Sequence, residues 1–116
     1  MSAGRAGITT HVLDTSRGRP AVGVSVTLER ETEGGWTTVG SGTTDADGRV
    51  RDLMGEGAEV EAATYRLTFE TGAYFAALGV KSFYPRVVVV FTADAREHYH
   101  VPVLVNPFGY STYRGS

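Results

Sequence analysis

Val22-Gly-Val-Ser-Val-Thr-Leu-Glu29 places an apolar residue at every second position, and Tyr65-Arg-Leu-Thr-Phe-Glu70 repeats the pattern. A period of two is that of a half-buried β-strand, because successive side chains of a strand point to opposite faces. Both stretches therefore predict strands that turn their valine, leucine and aromatic side chains toward a core.

Other stretches predict further strands around these two. Residues 8–12 place Ile8, Thr10 and Val12 on one face, and residues 99–105 do the same with a tyrosine and three valines. Residues 87–91 form a continuous apolar run after a proline, which predicts a strand covered on both faces. Glycine-rich turns, among them Asp45-Ala-Asp-Gly48, separate the runs.

One segment breaks the β pattern. It begins with Thr71, a good N-cap residue, and ends with Gly79, a residue type that often follows a helix. Tyr74 and Leu78 are four residues apart and share a helical face. The segment predicts one short helix of about two turns near residues 72–79.

Many short strands with regular turns predict an all-β fold, an antiparallel β-sandwich carrying this one helix. The 116 residues suffice for one domain, which we expect at 8–116 after a flexible N-terminus at 1–7. A domain of this size buries about two-thirds of its unfolded surface, which leaves little room for a deep private pocket. A site shared between subunits is therefore one expectation.

Composition excludes several classes of function. The net charge is −2 and there is no basic run, so we expect no nucleic-acid partner. The absence of cysteine excludes a thiol nucleophile, disulfides and a cysteine-ligated zinc site. The sequence has no signal-peptide-like N-terminus, no apolar stretch long enough for a bilayer and no peroxisomal address, so we expect no membrane partner and a cytoplasmic location.

Three histidines, His11, His98 and His100, supply the acid–base groups that titrate near neutral pH. Strand alternation points His11 away from the face that carries Ile8 and Val12, and it points His98 and His100 together away from the core. A single exposed histidine is most often simply solvated. For His11 and His100, each within a strand whose other face is apolar, a functional role is the better interpretation.

The terminal segment Gly109-Tyr-Ser-Thr-Tyr-Arg-Gly-Ser116 is able to form a strand, although chain ends usually fray. Arg114 offers a planar set of donors suited to carbonyl oxygens, and Ser116 adds a hydroxyl near the terminal carboxylate. Arg49, after the Asp47-Gly48 turn, is a second cation, although an isolated arginine there is usually solvated.

Other motifs are weaker. A calcium loop aligned on Gly48 would put Thr43 and Met54 at positions that require carboxylates. No Gly-x-Ser-x-Gly motif supports a serine nucleophile. A zinc site formed by His11, His98 and His100 is an alternative, opposed by the repulsion of two nearby arginines.

Five motifs, taken in order, resemble the transthyretin-like family from about Ile8 to Ser116. They are Gly7-Ile-Thr-Thr-His-Val-Leu-Asp14 with Gly18-Arg-Pro20, Thr44-Asp-Ala-Asp-Gly-Arg49, Phe83-Tyr-Pro85, His98-Tyr-His-Val-Pro102 and the terminal Tyr113-Arg-Gly-Ser116. The family has a hormone-carrying branch, the transthyretins, which lacks the tetrapeptide, and a 5-hydroxyisourate hydrolase branch, which carries it. This sequence holds all the hydrolase elements: His11, Arg49, His100 and the tetrapeptide.

The resemblance implies a transthyretin-like sandwich of two four-stranded sheets and a homotetramer with sites at the dimer–dimer interface. It implies hydrolysis of 5-hydroxyisourate to 2-oxo-4-hydroxy-4-carboxy-5-ureidoimidazoline, on the route from urate to allantoin, with no cofactor and no metal. Its catalytic residues would be His11, Arg49, His100 and Ser116, and its substrate-binding residues His11, Arg49, Tyr113, Arg114, Gly115 and Ser116. Which histidine is the base stays open, and the motif does not need His98.

Two other classes of protein compete with the hydrolase. One is a non-enzymatic carrier that binds a small aromatic ligand between dimers, which the tetrapeptide and the two histidines oppose. The other is an adhesion-type sandwich, which leaves the polar strand faces unexplained.

Overall fold

A computed structural model describes residues 7–55 and 57–116 of the chain. The predicted flexible N-terminus at 1–7 lies outside these residues except for Gly7, and Glu56 lies outside them as well.

Two β-sheets face each other, as the alternating sequence predicts. The first has the order β2-β1-β8-β9, with β5 also pairing with β1, and the second has the order β4-β3-β6-β7. The first sheet consists of β1 (Ile8–Asp14), β2 (Arg19–Pro20), β5 (Arg49–Val50), β8 (Tyr99–Asn106) and β9 (Gly109–Thr112). The second consists of β3 (Ser25–Thr32), β4 (Gly35–Thr43), β6 (Ala63–Phe69) and β7 (Val87–Ala93).

The sandwich prediction is confirmed, with two differences in detail. The first sheet has five strands rather than four, because the two-residue strand β5 joins β1 beside β2. One pair is parallel rather than antiparallel: β1 runs alongside β8 from Ile8 opposite Tyr99 to Asp14 opposite Val105. The chain visits the second sheet between these two strands, and such a long crossover allows a parallel pair.

The core lies between the sheets and is built from the alternating positions. Ile8 and Val12 of β1, and Tyr65, Leu67 and Phe69 of β6, are all buried, as predicted. The matching face of β8 is buried too. Val22 is the exception to the predicted alternation: it precedes β3 and is 52% exposed, because β3 begins only at Ser25.

Strand β7 is not covered on both faces, contrary to the prediction from its apolar run. It lies at the edge of the second sheet, and only one of its faces meets the core. Val88 and Val90 on the other face are 43% and 56% exposed in the single chain. An unbroken apolar run predicts that both faces of a strand are shielded from water. It does not indicate whether the same chain or another chain shields them.

Helix α1 (Thr71–Ala77) is slightly shorter and earlier than predicted, and Thr71 is not its N-cap. Glu70 holds that position without a side-chain capping bond, while Thr71 is buried. The helix ends as predicted near Gly79, whose N–H bonds the Ala76 carbonyl at 2.9 Å. Within residues 7–55 and 57–116, no helix is long and apolar enough to cross a membrane.

Candidate active site

The outward face of the first sheet collects the polar side chains that the sequence singled out. Thr9 and His11 alternate with the buried residues of β1, His100 does so on β8, and Arg49 does so on β5. His11 is opposite Arg49 on one side and opposite Pro102 on the other. Because paired strands lie about 4.8 Å apart, this register makes His11 and Arg49 direct neighbours on one face.

A tight turn aims Arg49 at this face. The Asp45 carboxylate accepts the N–H groups of Asp47 and Arg49 at 2.9 and 3.0 Å, and the Arg49 N–H is the main reason that the pKa of Asp45 lies below its usual value. Gly48 has a φ of +76°, and a Cβ there would lie 2.5 Å from the Val12 carbonyl oxygen. The Gly48 carbonyl accepts the Val12 N–H at 2.8 Å, so the turn is fastened directly to β1.

His100 is half-buried and held by its neighbours. The Thr9 Oγ1 lies 2.8 Å from its Nδ1. Burial lowers the pKa of His100 below its ordinary value, and the positive charge of Arg49, followed by His11 and His98, lowers it further. The ring is therefore neutral at a pH where an ordinary imidazole is partly protonated, which suits a general base.

The terminal segment folds back along β8 and reaches His100. Strand β9 pairs with Val103–Asn106, and beyond it the Gly115 N–H donates to the His100 carbonyl at 2.8 Å. A Cβ at Gly115 would lie 2.8 Å from His100 Cδ2 and 3.1 Å from Pro102 Cγ. Only glycine lets the segment lie this close to the imidazole.

The rest of the tetrapeptide is more exposed. The Arg114 Nη2 lies 3.5 Å from a Glu97 carboxylate oxygen, and its Cζ lies 4.5 Å from the centre of the Tyr99 ring. Tyr113 is 59% exposed, and Ser116 is also exposed. The single chain thus brings together His11, Arg49, His100 and Gly115, while the guanidinium of Arg114 is engaged by Glu97 and Tyr99.

His98 lies beside this cluster rather than in a metal site. It is exposed, and its Nε2 lies 3.4 Å from the Thr9 Oγ1. In the described part of the chain, no three His, Cys, Asp or Glu side chains are arranged to hold one metal ion. The three-histidine zinc alternative therefore has no geometric support.

The cluster lies on an open face of the single chain. One concavity of about 510 Å³ lies between residues 17–25 and α1. Another of about 800 Å³ lies between the start of β1, residues 51–55 and 57–59, and the side chains of Arg96 and His98. Neither is lined by His11, Arg49 or His100. Substrate held at this face would need a second wall.

Thr9 is the polar member of the cluster that the sequence did not single out. Alternation already put it on the same face as His11, so that signal was present. Its contact with His100 depends on the parallel register of β1 and β8, which joins residues 91 positions apart. No local pattern reveals that register.

Comparisons with known proteins agree with this geometry. Residues 8–115 match the model of the HIUase/Transthyretin family. A 5-hydroxyisourate hydrolase of Salmonella typhimurium is 44% identical over 117 residues, which cover all of this chain and 85% of the relative.

Two solved structures have the same fold. The 5-hydroxyisourate hydrolase of Klebsiella pneumoniae has a TM-score of 0.83 and 42% identity, over 94% of this chain and 98% of that one. A sea bream transthyretin in complex with thyroxine has a TM-score of 0.86 and 34% identity, over 93% of each chain.

Proposed function

The chain belongs to the HIUase/transthyretin family, and we infer that it is a 5-hydroxyisourate hydrolase. It converts 5-hydroxyisourate to 2-oxo-4-hydroxy-4-carboxy-5-ureidoimidazoline, a step of urate breakdown. The observation that carries this conclusion is the outward-facing set of His11, Arg49 and His100, with Gly115 against the His100 ring.

The reaction needs few groups. The oxygen of a water molecule bonds to a ring carbonyl carbon, the C–N bond of that ring breaks, and the departing nitrogen takes up a proton. A neutral imidazole can accept the proton of the water, and a second imidazole can supply one to the nitrogen. Positioned acid–base groups of this kind contribute roughly 10²–10⁴ in rate.

We assign these two proton transfers to His11 and His100, without assigning the base to either one. Arg49 orients the substrate and stabilises the negative oxygen that develops, a role worth on the order of 10²–10³ in rate for one good donor. Arg114 is assigned a similar role. Its contact with Glu97 is half-exposed and therefore weak enough to exchange for a substrate oxygen. Tyr113 and Ser116 shape and orient the pocket.

The decisive experiment is an ultraviolet assay in which urate oxidase generates 5-hydroxyisourate and the protein is added. We expect the substrate signal to disappear faster than by spontaneous decay. His11→Asn and His100→Asn should each lower kcat by about tenfold or more. A wild-type rate in either variant would remove that histidine from the mechanism.

Activity that survives exhaustive chelation is also expected, because no step is assigned to a metal. Loss of activity on chelation, with recovery on adding zinc, would contradict the mechanism.

A carrier function is the second candidate, because the sea bream relative with thyroxine bound shares the fold. The tetrapeptide and the two imidazoles on the outward face favour the hydrolase. If the protein bound thyroxine tightly and did not accelerate the decay of 5-hydroxyisourate, the carrier function would be favoured over the hydrolase.

The proposal includes a homotetramer with the active sites at the dimer–dimer interface. Three features support it: the candidate site is open in the single chain, large apolar side chains are exposed, and sheet edges are left without a partner strand in the described residues. Phe83 and Phe108 are 70% and 71% exposed, and the β7 and β9 edges have no partner strand within the described chain. A cytoplasmic location stays a prediction, which cell fractionation tests.

A further inference from the structure

Thr9 is positioned by two strands at once. It lies on β1 two residues before His11, and the parallel register puts it directly opposite His100 on β8. Its Oγ1 is 2.8 Å from His100 Nδ1, a normal hydrogen-bond length. As a β-branched residue in a strand, threonine has few side-chain rotamers, so the hydroxyl is held in place.

This contact decides which nitrogen of His100 is free. Nδ1 is engaged by the hydroxyl, so Nε2 is the ring nitrogen left for proton exchange with substrate or water. On the opposite edge of the ring, Gly115 packs against Cδ2. The imidazole is therefore held at one side by a hydrogen bond and at the other by the returning chain.

A hydroxyl suits a histidine that must change its protonation state. Its oxygen can accept the Nδ1 proton of the neutral Nδ1–H form and of the imidazolium alike, so that Nδ1 keeps its proton while Nε2 gains or loses one. A carboxylate in the same place would favour the imidazolium and raise the pKa of the ring. The hydroxyl instead leaves burial and the Arg49 charge to keep the ring neutral.

We propose that Thr9 is the positioning residue for His100: its hydroxyl holds Nδ1 in both protonation states, so that Nε2 is the atom that exchanges a proton. This inference rests on the proposed hydrolase function, in which His100 carries one of the two proton transfers. Thr9 itself touches neither the reacting carbon nor the water.

Charged and titratable groups from several elements surround His100. Arg49 on β5, His11 on β1 and His98 just before β8 act on its charge. The returning segment contributes Gly115, which carries no side-chain charge, against the ring. The test therefore keeps all of these residues and changes only the hydroxyl.

Three variants isolate the hydroxyl. Thr9→Val removes it and keeps the branched shape, Thr9→Ser keeps it, and Thr27→Val makes the same change on β3 of the other sheet. We expect Thr9→Val to lower kcat by about tenfold with KM within about threefold, since a misaligned group slows the chemical step more than it weakens binding. Thr9→Ser and Thr27→Val should stay within about threefold of wild type.

A second readout does not depend on catalysis. The His100 ring is followed by NMR titration of the assembled protein, with its signal assigned from His100→Asn. At a pH where the ring is neutral, Thr9→Val should shift the balance of the two neutral forms from Nδ1–H toward Nε2–H, and Thr9→Ser should not. If Thr9→Val does not fold, Thr9→Ala takes its place in both measurements.

Two results would overturn the inference. One is an unchanged balance of Nδ1–H and Nε2–H forms of His100 in Thr9→Val, whatever happens to kcat, because the hydroxyl would then act elsewhere. The other is a Thr9→Ser variant as impaired as Thr9→Val. If the wild-type protein fails to hydrolyse 5-hydroxyisourate while the tautomer balance of His100 still responds to Thr9→Val, the proposed function is contradicted but the contact between Thr9 and His100 is confirmed.

Discussion

Burial is the largest cause of the lowered pKa of His100, and the positive charge of Arg49 is the second largest. The unfolded chain takes up this proton near the ordinary value of 6.5, whereas the folded chain takes it up at lower pH. The unfolded state therefore binds more protons as the pH falls through this range. We expect the contribution of His100 to disfavour folding progressively below about pH 6.5 and to vanish above it.

Arg49→Met tests the electrostatic part of this account. Removing the guanidinium should raise the pKa of His100, but not to the ordinary value, because burial is the larger cause and remains. NMR titration of the ring measures the change, and Arg51→Met, which removes a cation paired with Asp45, is the matched control. No change in Arg49→Met, or an equal change in the control, would contradict the placement of Arg49 beside His100.

Gly115→Ala tests the close approach at the same ring. Its Cβ would meet His100 Cδ2 at 2.8 Å, so either the ring or the returning segment must move. We expect kcat to fall by about tenfold or more with the melting temperature nearly unchanged, because small misplacements of a catalytic group are costly. Gly109→Ala is the control, since a Cβ there meets its nearest neighbour, a side-chain atom of Asn106, only at 3.6 Å. Equal activity in the two variants would rule out a catalytic contact at Gly115.

Among the elements, α1 is fastened to the first sheet by a buried pair. The Tyr74 hydroxyl donates to the Asp14 carboxylate at 2.7 Å, and Asp14 is fully buried at the end of β1. Burial raises the pKa of Asp14, but bonds from Ser16, Tyr74 and the Arg17 amide outweigh it, so the pKa lies below 3.8. Such a carboxylate stabilises the fold above about pH 4, and the contribution is lost as the pH falls through its lowered pKa.

Tyr74→Phe removes one of these bonds and leaves the ring. We expect a loss of about 1–3 kcal/mol in the free energy of unfolding, since a buried carboxylate loses a donor. The acid unfolding midpoint should also rise, because the pKa of Asp14 rises. Chemical denaturation at pH 7 and an acid titration measure both effects. Tyr84→Phe, at an exposed ring, should change neither.

How far the sequence predicts an element depends on where its partners lie. The sequence predicts the buried face of β6 correctly, because Tyr65, Leu67 and Phe69 alternate with polar residues and pack against the opposite sheet. The prediction that β7 is buried on both faces was wrong, because the outward face of this edge strand is exposed in the single chain. For α1, the length was nearly right and the cap was wrong, because packing buries Thr71 and leaves no side-chain cap.

The same reasoning separates the parts of the candidate site. The outward direction of His11 and His100 follows from period two alone, and the structure places both on that face. The juxtaposition of His11 with Arg49, and of Thr9 with His100, depends on pairing between strands far apart in sequence. No local pattern encodes those pairings, which is why Thr9 was not foreseen.

For the whole molecule, the exposed apolar surface predicts assembly. Tyr84 packs edge to face with both Tyr110 and Phe83, and all three rings are substantially exposed. Patches of this kind on a small protein usually mark a contact with another chain. We expect the cluster to be covered by another subunit in the proposed homotetramer.

Tyr110→Arg should therefore break the assembly, because a charge would be buried in an apolar contact. Native mass spectrometry should give smaller species, and activity should fall with them if the site needs a second subunit. Ser41→Arg, at an exposed position of β4, is the control. A wild-type protein that is monomeric and fully active would contradict both the tetramer and the shared site.

The parallel pairing of β1 with β8 also bears on how the protein is made. Strand β1 is synthesised about ninety residues before its parallel partner β8. Because contacts between distant segments form late and slow folding, the side of β1 that pairs with β8 stays open and prone to aggregation until β8 has been made. A chain that ends before β8 therefore cannot contain the site, and the site forms in the same late step as the β1–β8 pair.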